Sequence, residues 1–105
     1  MDLIQKHDIT AIFCCRDALA IGLSNYFYDH KITIGKDVSI AGYGSDPMSS
    51  IYRPTITTVM EPYYDIGAIA IRKLVKSLKG EEGDETLQTT YLDLQVKRRE
   101  SIAKI

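Results

Sequence analysis

Long apolar runs are missing from this chain: none approaches the ~18 residues that span a bilayer, so no membrane-crossing helix is expected. The opening residues, MDLIQKHDIT, hold no basic stretch followed by an apolar one, the pattern of a secretion signal. Cysteine is scarce, with two residues, Cys14 and Cys15, side by side. Neighbours in an extended strand point to opposite faces and do not readily bridge each other. Their spacing is not that of metal ligands either. Buried, reduced thiols in a soluble cytoplasmic protein are the expectation. Charge of one sign is lacking too: the net charge is −1, which gives no general attraction to nucleic acid or to an anionic membrane. Lys97, Arg98 and Arg99 read as a solvated strand end rather than a DNA-binding patch. There is no internal repeat, no low-complexity segment, no G-x-G-x-x-G and no P-loop. His7 and His30 lie in polar segments without a nucleophile in sequence reach, so no enzyme, cofactor or metal centre is expected.

What is present is an ordinary globular composition, 45% apolar and 26% charged over 105 residues, enough for one small domain. TAIFCC (10–15) is a short apolar run expected to form a buried strand. A helix follows at once, with Leu19, Leu23, Tyr26 and Phe27 at helical spacing and Asp17 at its acidic start. Gly35 and Lys36 mark a turn before a second strand, Val38 to Tyr43. PMSSIY fits one helical turn, and TITTV (55–59) reads as a third strand. EPYYDIGAIAIRKLVKSLKG is the clearest helix: Pro62 suits its first turn, Gly80 its stop, and Lys73, Lys76 and Lys79 complement its dipole. Ile66, Ala70, Leu74 and Leu78 would form its apolar stripe, widened by Ile71 and Val75. EEGDETLQ reads as a polar loop, after which Leu92, Leu94 and Val96 alternate with polar residues as in a half-exposed strand. The order β-α-β-β-α-β with short connections predicts an α/β fold, a largely parallel sheet flanked by helices. Such a sheet is thin, and LIQKHD resembles the tail of a longer helix, so a piece of a larger α/β protein is expected.

In open α/β sheets ligands bind at the carboxyl ends of the strands. Two segments take such positions here, Cys15-Arg16-Asp17 and Gly44-Ser45-Asp46. Arg16 offers a planar fork of donors suited to carboxylate, phosphate or sugar oxygens. Asp17 serves equally well as a helix-end acid or as an acceptor for sugar hydroxyls. The glycines around Tyr43 allow a tight turn close to another group.

Taken in order, TAIFCCRDALAIGL, DVSIAGYGSDPMSSIYRPTITTV and EPYYDIGAIAIRKLVKSLKGE resemble the effector-binding half of LacI/GalR-family transcriptional regulators. The resemblance covers nearly the whole chain, and the GYG variant and PYYDIGA run are most similar to the sucrose-type repressors of that family. It implies a periplasmic-binding-protein-like (type I) core of two subdomains around a sugar cleft, with residues 1–59 and about 88–105 in the C-terminal one. Residues 60–87 would be the crossover and helix of the other. A DNA-binding headpiece, not represented in these residues, would bind operator DNA.

Carried over by position, Arg16 stands where the family often has Asn or Ser, Asp17 matches the family's Asp, and Gly44 replaces a frequent Asp. Ser45, Glu61 and Tyr63 complete the implied effector site, with Tyr63 stacking on a sugar face. A cation gained and a carboxylate lost point to a sugar phosphate or other anionic sugar as effector. Ile21, Met48, Ile51 and Tyr52 fall where the family's subunits pair as homodimers; Ile21 fits ordinary core packing equally well. The implied mechanism is a population shift in which sugar closes the cleft and resets the headpiece spacing. The alternatives are part of a secreted sugar-binding protein of a transporter, and a structural oligomer with no ligand.

Overall fold

The computed structural model describes residues 2–81 and 88–104. The polar stretch EEGDETLQ falls almost wholly outside them. The elements are α1 (Asp2–His7), β1 (Ala11–Phe13), α2 (Asp17–Asp29), β2 (Ser39–Tyr43), α3 (Pro47–Ile51), β3 (Thr57–Met60), α4 (Tyr63–Leu78) and β4 (Gln95–Lys97). The four strands lie in sequence order across one sheet. β1 and β2 run parallel with Ile12 opposite Ile40, and β2 and β3 run parallel with Gly42 opposite Thr58. Parallel neighbours bring their carboxyl ends to one side, so the segments after β1 and β2 share one edge of the sheet.

The chain divides into two compact units, Met1–Met60 with Val96–Ile105, and Glu61–Gln95. The core of the first is Cys14, Ala20, Phe27, Val38, Ile40 and Ile56. Ile4, Ile12, Ile21, Leu23, Ile32, Ile34 and Tyr52 pack against it. Phe27 is fully buried and on its own contributes roughly 1.5–3 kcal/mol of transfer free energy.

The helical stripe of α2 differs from the expected one. Its buried line is Asp17, Ala20, Ser24 and Phe27, while Leu19 and Tyr26 are exposed. A serine is tolerated on this line because its hydroxyl donates to Ala20 O at 2.7 Å. β1 is shorter than expected and not buried: it is the terminal strand of the sheet, and Phe13 remains 62% exposed. Cys14 is buried as expected, but Cys15 is exposed, and both thiols are free. β4 covers only three residues, all exposed, rather than the alternating run from Leu92.

In the second unit, α4 ends at Lys79-Gly80 as its sequence predicts. None of its residues is buried, because that unit holds a single helix and no second apolar layer among its described residues. No helix among the described residues is long and apolar enough to cross a membrane.

The end of the first unit ties the sheet together. Ser101 N donates to Thr55 O, its hydroxyl donates to Ile40 O, and its carbonyl accepts from Ile40 N, all between 2.6 and 3.0 Å. This segment is thereby bonded to both β2 and the approach to β3. Arg99, expected to be solvated, is instead half-buried within that arrangement.

Candidate functional site

Asp17 opens α2 but caps nothing there; the N-cap residue is Arg16, in extended conformation and without a side-chain cap bond. The Asp17 carboxylate turns into the fold and is only 2% exposed. A carboxylate taken out of water must be met by donors, or its desolvation costs several kcal/mol. It has two: the Thr58 hydroxyl donates to Oδ1 at 2.6 Å, and the Asp46 backbone N–H donates to Oδ2 at 2.7 Å. Thr58 Oγ1 in turn accepts from Ser45 N at 3.2 Å. Gly44 N donates to Val59 O at 2.8 Å.

The segment Gly44–Asp46 is therefore held by its backbone at every residue, against β3 and against the start of α2. Such holding is needed, because the loop is bent sharply: Gly44 has φ 111 and Ser45 has φ 53. A serine in the left-handed region costs of order 1 kcal/mol and persists only where neighbours over-determine it. Gly42 is required for a different reason. A Cβ there would fall inside contact distance of Asp17 Oδ1 and 3.2 Å from the Asp17 Cα, so only a glycine lets the helix start approach β2.

The structure thus brings Arg16, Asp17, Gly44 and Ser45 to one edge of the sheet. Among the described residues the Arg16 guanidinium has no hydrogen-bond or ion-pair partner, and it is exposed. Asp46 directs Oδ1 at Met48 N, 2.8 Å away, and so caps α3. Glu61 and Tyr63 belong to the second unit, where Tyr63 opens α4 with an exposed ring and its N–H donates to Glu61 O.

Of the residues expected at a dimer surface, Met48 and Ile51 are exposed on α3, Ile51 by 66%. Ile21 and Tyr52 are partly buried against the core, and the Tyr52 hydroxyl donates to Asn25 Oδ1. Burial pushes the Cys14 thiol pKa up, with the neighbouring Cys15 adding to the rise. His30 stacks on Tyr26 at 4.0 Å and its Nδ1 lies 2.8 Å from Tyr26 O, away from this site. No group of three or more His, Cys, Asp or Glu among the described residues is placed to hold a metal ion.

Sequence reasoning missed Thr58, and it took Gly42 only as a glycine that allows close approach to another group, without Asp17 as that group. Thr58 had read only as a β-branched strand former, and nothing local distinguishes a threonine that meets a carboxylate 41 positions away.

Residues 1–102 match the family model described as periplasmic binding protein-like domain. The chain belongs to that family. It is 40% identical over 74 residues to the HTH-type transcriptional regulator RegA of Clostridium saccharobutylicum, covering 70% of this chain and 22% of that protein. The crystal structure of transcription regulator CcpA of Lactococcus lactis matches with a TM-score of 0.83 and 27% identity, covering 94% of this chain and 36% of that one. A LacI family transcriptional regulator from Enterococcus faecium with bound ribose matches at TM-score 0.80 and 26% identity, covering 91% and 35%. The chain thus spans roughly a third or less of the length of these proteins. These relatives are transcription regulators rather than enzymes or transport receptors.

Proposed function

We propose that the chain is the effector-sensing and dimerising part of a LacI-type, sugar-responsive repressor that works in the cytoplasm, and that its effector is an anionic sugar such as a sugar phosphate. The operator would be reached only through a DNA-binding headpiece elsewhere in the regulator. One observation carries the choice of an anion. Of the charged side chains gathered at the carboxyl ends of β1 and β2, the Asp17 carboxylate is buried on two protein donors and that of Asp46 accepts from Met48 N, while the exposed Arg16 guanidinium has no hydrogen-bond or ion-pair partner among the described residues. Its planar fork suits a phosphate oxygen pair.

In this reading Asp17 is a brace for the loop, and the backbone of Gly44 and the Ser45 hydroxyl face the ligand. Tyr63, exposed at the start of α4, offers an aromatic face of the kind that stacks on the apolar side of a sugar ring, and Glu61 a carboxylate that could accept from hydroxyls. The exposed Met48 and Ile51, flanked by Ile21 and Tyr52, form the homodimer face. The match to a ribose-bound regulator supports a sugar as the ligand class. The sucrose-type likeness of GYG and PYYDIGA remains part of this reading.

Calorimetric titration with ribose and ribose 5-phosphate, and with glucose and glucose 6-phosphate, tests it. A charge-assisted bond is worth about 1.5–3 kcal/mol, so the phosphates are expected to bind at least about tenfold tighter than their parent sugars. Arg16→Asn is expected to abolish that difference. Neutral sugars binding as tightly as their phosphates would sink the anionic reading.

A further inference from the structure

We infer that Arg99 is a positioning residue for the Gly44–Asp46 loop, acting through Ser49 without touching the loop's ligand face. Arg99 sits 50 positions from Ser49 in the chain, yet its Nη1 lies 2.9 Å from Ser49 Oγ and 2.9 Å from Ile56 O. Its main chain is fixed as well: Arg99 N donates to Thr57 Oγ1 at 2.9 Å. Ser49 is fully buried, with its hydroxyl 2.6 Å from Asp46 O and its amide 2.9 Å from the same oxygen.

The direction of these bonds matters. A guanidinium only donates, so the Ser49 oxygen accepts from Arg99 and its single proton is left to point at Asp46 O. Arg99 therefore sets the rotor of the hydroxyl that holds the Asp46 carbonyl. Asp17 holds the N–H of the same residue from the other side. Asp46, the last residue of the loop, is pinned at both ends of its backbone, and one of the two pins is oriented from the chain's tail.

The same tether fixes α3, whose exposed Met48 and Ile51 we assign to the dimer face, so the loop and that face share one anchor. The functional meaning of this coupling rests on the reading of Gly44–Asp46 as the effector loop. The positioning itself does not, and it is tested on the ligand-free chain.

Site-resolved amide hydrogen exchange on the 105-residue chain reads it out. Arg99→Met keeps the aliphatic stem and removes the donors. It is expected to speed exchange at Asp46 and Ser49 by about tenfold or more, while Cys14 and Ala20, bonded to Ala41 O and Arg16 O, keep their rates. Ser49→Ala is the second variant, a small buried change that removes the relay itself. It should speed Asp46 by a similar factor, and the double variant should add nothing at Asp46 beyond either single change. An unchanged Asp46 rate in Ser49→Ala, additive effects of the two changes, or an equal rise at Cys14 and Ala20 would overturn the inference. The sugar titrations judge the effector reading separately, so failure of one is distinguishable from failure of the other.

Discussion

Adding one methyl group at Gly42 and one at Gly22 should move the stability of this protein in opposite directions. At Gly42 the new Cβ meets Asp17 Oδ1 inside contact distance and the Asp17 Cα at 3.2 Å. The backbone on the helix side cannot retreat freely, because Ala20 and Phe27 on α2 are fully buried. The carboxylate must move instead, and its bonds from Thr58 and Asp46 N are 2.6 and 2.7 Å long with nothing to spare. Overpacking costs about 1–3 kcal/mol, and losing one bond to a buried charge a further ~1.5–3 kcal/mol. Gly42→Ala is therefore expected to destabilise by roughly 2.5–6 kcal/mol, a large part of the ~5–15 kcal/mol that holds a small domain together. At Gly22, within α2, a Cβ meets nothing within 4 Å. Alanine there removes the entropic cost of glycine in a helix and should stabilise by roughly 0.5–1 kcal/mol. Urea unfolding followed by circular dichroism measures both. Near-equal effects of the two substitutions, or a Gly42→Ala loss below about 1 kcal/mol, would refute the claim that the buried Asp17 clamp organises this edge of the sheet.

Two further outcomes are expected. Thiol labelling of the native protein at pH 8 should modify Cys15 quickly and Cys14 only on unfolding, because Cys14 is buried and its pKa is raised. The sign for stability follows: a thiol favoured neutral in the fold contributes fully below its ordinary pKa of 9.0, and that contribution is lost as pH rises through the raised folded value. Ile51→Arg, on an exposed position of α3, should leave the melting temperature within a few degrees and turn the proposed dimer into a monomer on sedimentation; a dimer that survives it would remove α3 from the interface.

Much of the fold is legible in the sequence because the strands and helices carry their own periodicity. The five-residue α3 is announced by Asp46-Pro47, a capping side chain followed by a residue suited to the first turn. The stripe of α2 is not legible, since two of its four buried positions, Asp17 and Ser24, are polar. Each is paid for by a specific partner, and neither Thr58 nor the Ala20 carbonyl is marked for that role by local pattern. The stripe of α4 is legible as periodicity, yet periodicity does not say what covers it. Arg99 was read with Lys97 and Arg98 as a solvated group because charge runs usually are; its burial depends on Ser49 and Ile56, far away in the chain. At the site, the strand-end rule found the two loops. It did not find the bonds that join them, which arise only once β2 and β3 lie side by side.

The most direct test of the account is to follow the amide resonances of the isotope-labelled chain while ribose 5-phosphate is added. Saturable shifts centred on Arg16, Ser45 and Asp46 are expected, absent with Arg16→Asn. Saturable shifts elsewhere with these three resonances unmoved would contradict it, and the loop after β2 would then be a structural turn rather than an effector site.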